Sequence, residues 1–256
     1  MTDDFAAATK AMRLEKGAFA LRLPPAWMQG RTVYGGASAA AALAAVMAAE
    51  PDLPPLRSAQ AAFVGPLGEE LEIRPALLRR GRSAVFMAAQ VLSGGALGLA
   101  ATFLFAAERD SHVDHPPEPH AKLPKRGDPI EVPKEVAFAG NFELARAVPS
   151  LGTGPSIHRW VRLRQRAGLS PLVELLLVAD ALPPAAMKLF KRPGPISTMT
   201  WQLNLLTPAP HTKDGWWLLS ATASMAQAGF SSQEMRIWNS AGELVATATQ
   251  SIALFA

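Results

Sequence analysis

No cysteine occurs among the 256 residues. Disulfide staples, thiolate metal sites and a cysteine nucleophile are therefore excluded. Tyrosine occurs once and aromatic residues make up only 7%, so rings for base stacking are scarce. With no helix-turn-helix, zinc-finger or RNA-binding signature either, the chain does not read as a nucleic-acid binder. No apolar run reaches the ~20 residues that a membrane helix needs, so no membrane partner is expected. The start, Met1-Thr-Asp-Asp-Phe5, lacks the basic-then-apolar layout of a secretory signal. A cytoplasmic protein is the resulting expectation. Charged residues are also few, at 18%, against 49% apolar, which is ample core material for one large domain or two ordinary ones.

What charge there is sums to +4 and gathers in patches. They are Arg79, Arg80 and Arg82; Arg159, Arg162, Arg164 and Arg166; and Lys188, Lys191 and Arg192. Such patches suit either solvated surface or phosphate groups.

The stretch around which the rest is organised is residues 37–49, where Ser38 is the only polar side chain. Alanine is the best helix former. A helix with no polar face should be covered on all sides, and its small side chains let strands approach closely. It follows Gly35-Gly36 and stops at Glu50-Pro51. Residues 17–23 alternate as a strand, after an exposed or weakly helical lead over 1–16. Strand-like runs follow at 58–64, 69–79, 83–92 and 97–107. Gly65-Pro66, Arg80-Gly81 and Ser93-Gly94-Gly95 punctuate them, which predicts an antiparallel meander. Residues 108–135 are rich in proline and charge and read as an extended linker. His112, Asp114, His115 and His120 lie there without metal-ligand spacing, so no metal is expected.

The second half repeats the first. Residues 138–147 and 158–164 are strand-like. Pro171 opens a helix at its first turn, and strands are expected at 196–206, 215–226, 230–238 and 244–254. With Gly95 set on Gly242, residues 91–102 align with 238–249 as hairpins with small-residue turns. The expected class is α+β: residues 1–107 and 136–256 are two tandem repeats, each an antiparallel sheet wrapped around a central helix, with 108–135 between them.

Several segments, in order, resemble the TesB-like (type II) acyl-CoA thioesterases, whose fold is a double hotdog. In the first half they are Val33-Tyr-Gly-Gly36, Ser58-Ala-Gln-Ala-Ala-Phe-Val-Gly-Pro66 and Leu77-Leu-Arg-Arg-Gly-Arg-Ser83. In the second they are Leu177-Val-Ala-Asp-Ala-Leu-Pro-Pro-Ala185, Ser197-Thr-Met-Thr200, Gly215-Trp-Trp-Leu-Leu219 and Ala241-Gly-Glu-Leu-Val-Ala-Thr-Ala-Thr-Gln250. The resemblance spans essentially the whole chain. It implies hydrolysis of an acyl-CoA thioester, with coenzyme A as part of the substrate, no further cofactor and assembly into a homo-oligomer. It also implies substrate contacts at Gly35 and Gly36, where the helix N-terminus offers free N–H groups to an oxyanion, and at Arg80, Arg82 and Ser83, which would grip phosphates.

For catalysis the resemblance implies an acid on the first strand after the second helix, a hydroxyl on a later strand and a glutamine on the last. Transferred by motif, the glutamine is Gln250, whose counterpart in the first repeat is Phe103. The hydroxyl position falls at Ala223 or Ser224, of which only Ser224 could serve. The acid position holds Thr200, which cannot act as a base unaided, and no Asp or Glu occurs from Lys191 to Lys213. Three readings stay open. In the first, another acid substitutes, with Asp180, Glu234 and Glu174 as candidates. In the second, water is held by Thr200, Gln250 and Ser224 in a slow enzyme. In the third, the chain binds acyl-CoA without hydrolysing it. Neither the paired Asp and His of related hydratases nor a Gly-x-Ser-x-Gly elbow is present.

Overall fold

The protein is described by a computed structural model covering residues 4–119, 122–150 and 154–255. In chain order, the first half holds α1 (Phe5–Lys10), β1 (Arg13–Glu15), β2 (Ala18–Arg22), β3 (Met28–Gln29), β4 (Thr32–Val33), α2 (Gly35–Ala49), β5 (Leu56–Phe63), β6 (Glu70–Arg80), β7 (Ala84–Ser93) and β8 (Ala96–Ala106). The second holds β9 (Lys125–Pro129), β10 (Phe142–Val148), β11 (Ser156–Leu163), α3 (Pro171–Ala179), β12 (Ile196–Leu205), β13 (Trp216–Gln227), β14 (Phe230–Asn239) and β15 (Leu244–Leu254).

One antiparallel sheet runs β1-β2-β6-β7-β8-β5-β12-β15-β14-β13-β11-β10-β9. Read outward from the central β5–β12 pair, the two halves mirror each other. β8, β7, β6 and β2 lie on one side, and β15, β14, β13 and β11 on the other. This is the double hotdog that the repeat and the resemblance imply. The expected simple meander needs one correction. β5 does not pair with β6; it crosses to lie between β8 and β12. Gly65-Pro66 ends the strand, and the Gly65 N–H is taken by the Gly98 carbonyl. Turn residues mark where a strand stops, not which strand it pairs with.

The alanine-rich helix is enclosed as its composition predicts, with Ala37, Ala40, Ala41, Ala42, Leu43 and Ala45 fully buried. It packs against α3. α3 starts as expected, with the Ser170 hydroxyl accepting the Val173 N–H and Pro171 in the first turn. Its last carbonyls have no intrahelical partner, and the Tyr34 hydroxyl donates to one of them, Leu177, at 2.9 Å. The Tyr34 ring is buried and stacks on Phe138 with centroids 4.3 Å apart.

Two segments differ from the sequence reading. The N-terminal lead is anchored, because Phe5 is buried edge-on against Trp27. The linker contributes β9, the edge strand paired with β10. It also covers the outer face of the second sheet, where Trp160, Trp216, Leu218 and Trp238 form a separate apolar cluster contacted by Leu123. β13 is thus buried on both faces, which explains its unbroken Trp-Trp-Leu-Leu run. Among the described residues no helix is long and apolar enough to cross a membrane.

Tyr34→Phe is expected to leave the Leu177 carbonyl unpaired between the helices and to lower stability by about 1–2 kcal/mol. Urea unfolding of both proteins measures this; an unchanged midpoint would contradict the assignment.

Candidate functional site

The C-terminal end of α3 meets the N-terminal end of α2. The residue at that meeting point is Asp180, which caps α3. Its carboxylate accepts the Gly36 backbone N–H, one of the donors that a helix start leaves free. It also accepts the Gln250 side-chain amide at 2.7 Å. The Gln250 oxygen in turn accepts from Gln233 Nε2 at 2.5 Å, and Gln233 Oε1 accepts the Ala185 N–H at 2.9 Å. Both glutamines are buried.

Gly35 and Gly36 are required for space, since neither carries a positive φ. A Cβ on Gly35 would stand 2.7 Å from Asp180 Oδ2, and one on Gly36 would stand 2.7 Å from the Tyr34 ring. The glycine pair therefore lets a carboxylate and an aromatic ring close onto the first turn of the helix.

Burial pushes the Asp180 carboxyl from its ordinary 3.8 up to about 7, and the hydrogen bonds from Gln250 and Gly36 hold it from rising further. A group poised near neutrality can accept and return a proton. It lines a cleft of about 440 Å³, together with Arg31, Gly35, Ser38, Phe63 and Thr198. A larger cleft of about 600 Å³, near Arg146, Arg159 and Lys188, is lined among the described residues by neither a carboxylate nor a side-chain amide.

The residues grouped with Gln250 on the sequence are distributed differently. Thr200 is exposed and pairs with Ser251, on the sheet face opposite Gln250. A β-bulge at Met199 is the reason: Thr198 pairs with the buried Ile252 and turns to the inner face, while Thr200 turns out. One inserted residue reverses the period-two count. Ser224 sits at a second bulge and is exposed, whereas Ala223 stands opposite Gln233. Arg80 pairs with Glu50, the C-cap of α2. The helix is 15 residues long, which puts Arg80 and the neighbouring Arg82 and Ser83 about 20 Å from Gly35 along its axis. They are therefore not at this cleft. Of the candidate acids, Asp180 is the one brought to Gln250. Glu174 is buried between Arg166 and the Trp217 indole, and Glu234 is exposed. Sequence reasoning passed over Thr198, Gln233 and Arg31. No three His, Asp or Glu among the described residues are placed to hold a metal, and His120 lies outside them.

Two family models match the chain. The acyl-CoA thioesterase N-terminal domain matches residues 23–106, and the acyl-CoA thioesterase C-terminal domain matches residues 112–254. Solved structures share the fold end to end. A hot dog fold protein of unknown function from Alicyclobacillus acidocaldarius is 22% identical with a TM-score of 0.85, covering 100% of this chain and 99% of its own. A candidate thioesterase II from Thermobifida fusca YX is 22% identical with a TM-score of 0.84, over 98% and 97%. An acyl-CoA thioesterase II from Mycobacterium marinum is 16% identical with a TM-score of 0.70, over 97% of each chain. Among curated proteins there is no match.

Because the folded Asp180 carboxyl holds its proton to higher pH than an unfolded one, the unfolded chain ionises first. Stability therefore falls as pH rises from about 4 to about 7. Asp180→Asn removes this dependence. Its stability relative to the wild type is expected to grow across that window and to level off above it. Thermal unfolding of both proteins as a function of pH decides; a difference that does not vary with pH would contradict the buried titration.

Proposed function

We propose that this chain, which belongs to the acyl-CoA thioesterase family, hydrolyses an acyl-CoA thioester to the free acid and coenzyme A, with Asp180 as general base. The observation that carries this reading is the half-buried carboxylate at the cleft wall, held by Gln250 and the first turn of α2 and poised near neutrality. The thioester carbonyl lies over Gly35, where helix N–H groups and the Thr198 hydroxyl can donate to the developing oxyanion. Asp180 takes a proton from a water molecule as that water attacks the carbonyl carbon. The carbon–sulfur bond then breaks, and the protonated Asp180 returns the proton to the departing thiolate. Gln250 keeps the carboxylate aimed at the water. Arg31, exposed at the cleft, is available to the phosphates of coenzyme A.

The reading as a binder without chemistry rested on the missing acid at Thr200. Asp180 supplies a carboxylate to the same glutamine from the end of α3, so hydrolysis is the better supported of the two. Self-association belongs to the same proposal, because Leu77, Leu78 and Phe86 expose apolar surface on β6 and β7.

Thiol release from acyl-CoA substrates of graded chain length tests the reaction. kcat/KM is expected to rise with pH to a plateau, with a midpoint near 7. Asp180→Asn should lower kcat by about 10²–10⁴-fold. Gly35→Ala, which drives a methyl group against the carboxylate, should also lower it. Thr198→Val should fall by about tenfold or more, while the outward Thr200→Val stays within about twofold. Thiol release by Asp180→Asn at the wild-type rate would refute the assignment.

A further inference from the structure

The two repeats place different residue pairs at one equivalent position. In the first, Met87 on β7 stands directly across from Phe103 on β8, and both are buried apolar side chains. In the second, Gln233 on β14 stands across from Gln250 on β15, and both are equally buried. The alignment that sets Gly95 on Gly242 also sets Phe103 on Gln250. The fold is therefore satisfied by an apolar pair here. Two buried amides are less favourable than a well-packed apolar pair unless every polar atom is partnered. They are partnered, and in one direction only.

The direction follows from the two ends of the chain of hydrogen bonds. At one end the Ala185 backbone N–H can only donate, so Gln233 must present its oxygen to it. This aims Gln233 Nε2 at Gln250, so Gln250 must present its oxygen in return. The Gln250 Nε2 is thereby left facing Asp180 Oδ1. Reversing either amide would set donor against donor and acceptor against acceptor.

Resting on the thioesterase reading above, we propose that Gln233 is a positioning residue for the reaction: it fixes the orientation of the Gln250 amide so that Gln250 always donates to Asp180. Without Gln233, the Gln250 amide is free to turn over and accept a hydrogen bond from the protonated acid. That favours the proton-bound, unreactive form. Gln233 touches neither substrate nor the reacting atoms and acts through Gln250. Through Ala185 it also ties the segment after α3 to the site.

Two substitutions separate positioning from simple support of the fold. Gln233→Met copies the residue of the first repeat. Gln233→Leu likewise removes both polar atoms at a similar volume. Both are expected to lower kcat by about tenfold with KM within about twofold, and to move the midpoint of the pH profile upward. In a Gln250→Met background, Gln233→Met should have no further effect, because the residue through which it acts is gone. The proposal is overturned if folded Gln233→Leu keeps the wild-type kcat and pH midpoint. It is equally overturned if Gln233→Met loses a further tenfold in the Gln250→Met background. An NMR titration of the Asp180 carboxyl reads the same shift without substrate. If the wild type releases no thiol, the thioesterase reading fails, and an unchanged Asp180 titration in Gln233→Leu would separately refute the role of Gln233.

Discussion

The contact between Asp180 and the first turn of α2 sets the conditions that the rest of the site must meet. A carboxylate at a helix start is favoured by free N–H groups and the positive end of the dipole. Burial opposes it strongly, and here burial prevails enough to bring the group to about 7. Neighbouring features follow from this contact. Gly35 must lack a side chain so that the carboxylate can approach. α3 must end where it does so that Asp180 caps it. The chain between α3 and β12 must return close enough for Ala185 to anchor Gln233. The carboxylate held by these two donors also lines the cleft.

Duplication gave the fold its symmetry, and the site departs from that symmetry at every position that matters. Helix α2 begins with two glycines, whereas α3 begins with a capping serine and a proline. α3 ends in a half-buried aspartate, while α2 ends in Glu50, which pairs with Arg80 near the surface. The Gln233–Gln250 pair faces one helix junction, and Met87–Phe103 occupies the equivalent place in the other repeat. One junction lines the cleft with polar side chains, and at the other the equivalent cross-strand pair is apolar and buried.

Much of this was legible in the chain. A thirteen-residue stretch with one polar side chain can only be a covered helix, and the structure encloses it completely. The Gly95 and Gly242 turns aligned the repeats correctly, and that alignment singled out Gln250 against Phe103. Gln250 was identified through its motif in the family resemblance, and the repeat set it apart because its counterpart is Phe103. Asp180 stood among three candidate substitutes for the acid missing at Thr200, in an Ala-Asp-Ala-Leu-Pro-Pro context at the helix end.

What the sequence could not supply was the parity of the strands and the meeting of distant ends. Thr198 and Thr200 are two residues apart, so regular alternation puts them on one face; the bulge at Met199 puts them on opposite faces. A bulge carries no sequence signal of its own here, because it depends on how β12 is pinned between β5 and β15. The same holds for Ser224 and Ala223 on β13. The arginines after β6 are basic whichever end of α2 they occupy, and only the packing puts them at the wrong end for this cleft. Composition, periodicity and internal repetition are local properties, and they determined the helices, the strands and the double hotdog. The site gathers residues 35, 180, 198, 233 and 250, and only the folded sheet and the packing of its two helices decide which of them meet.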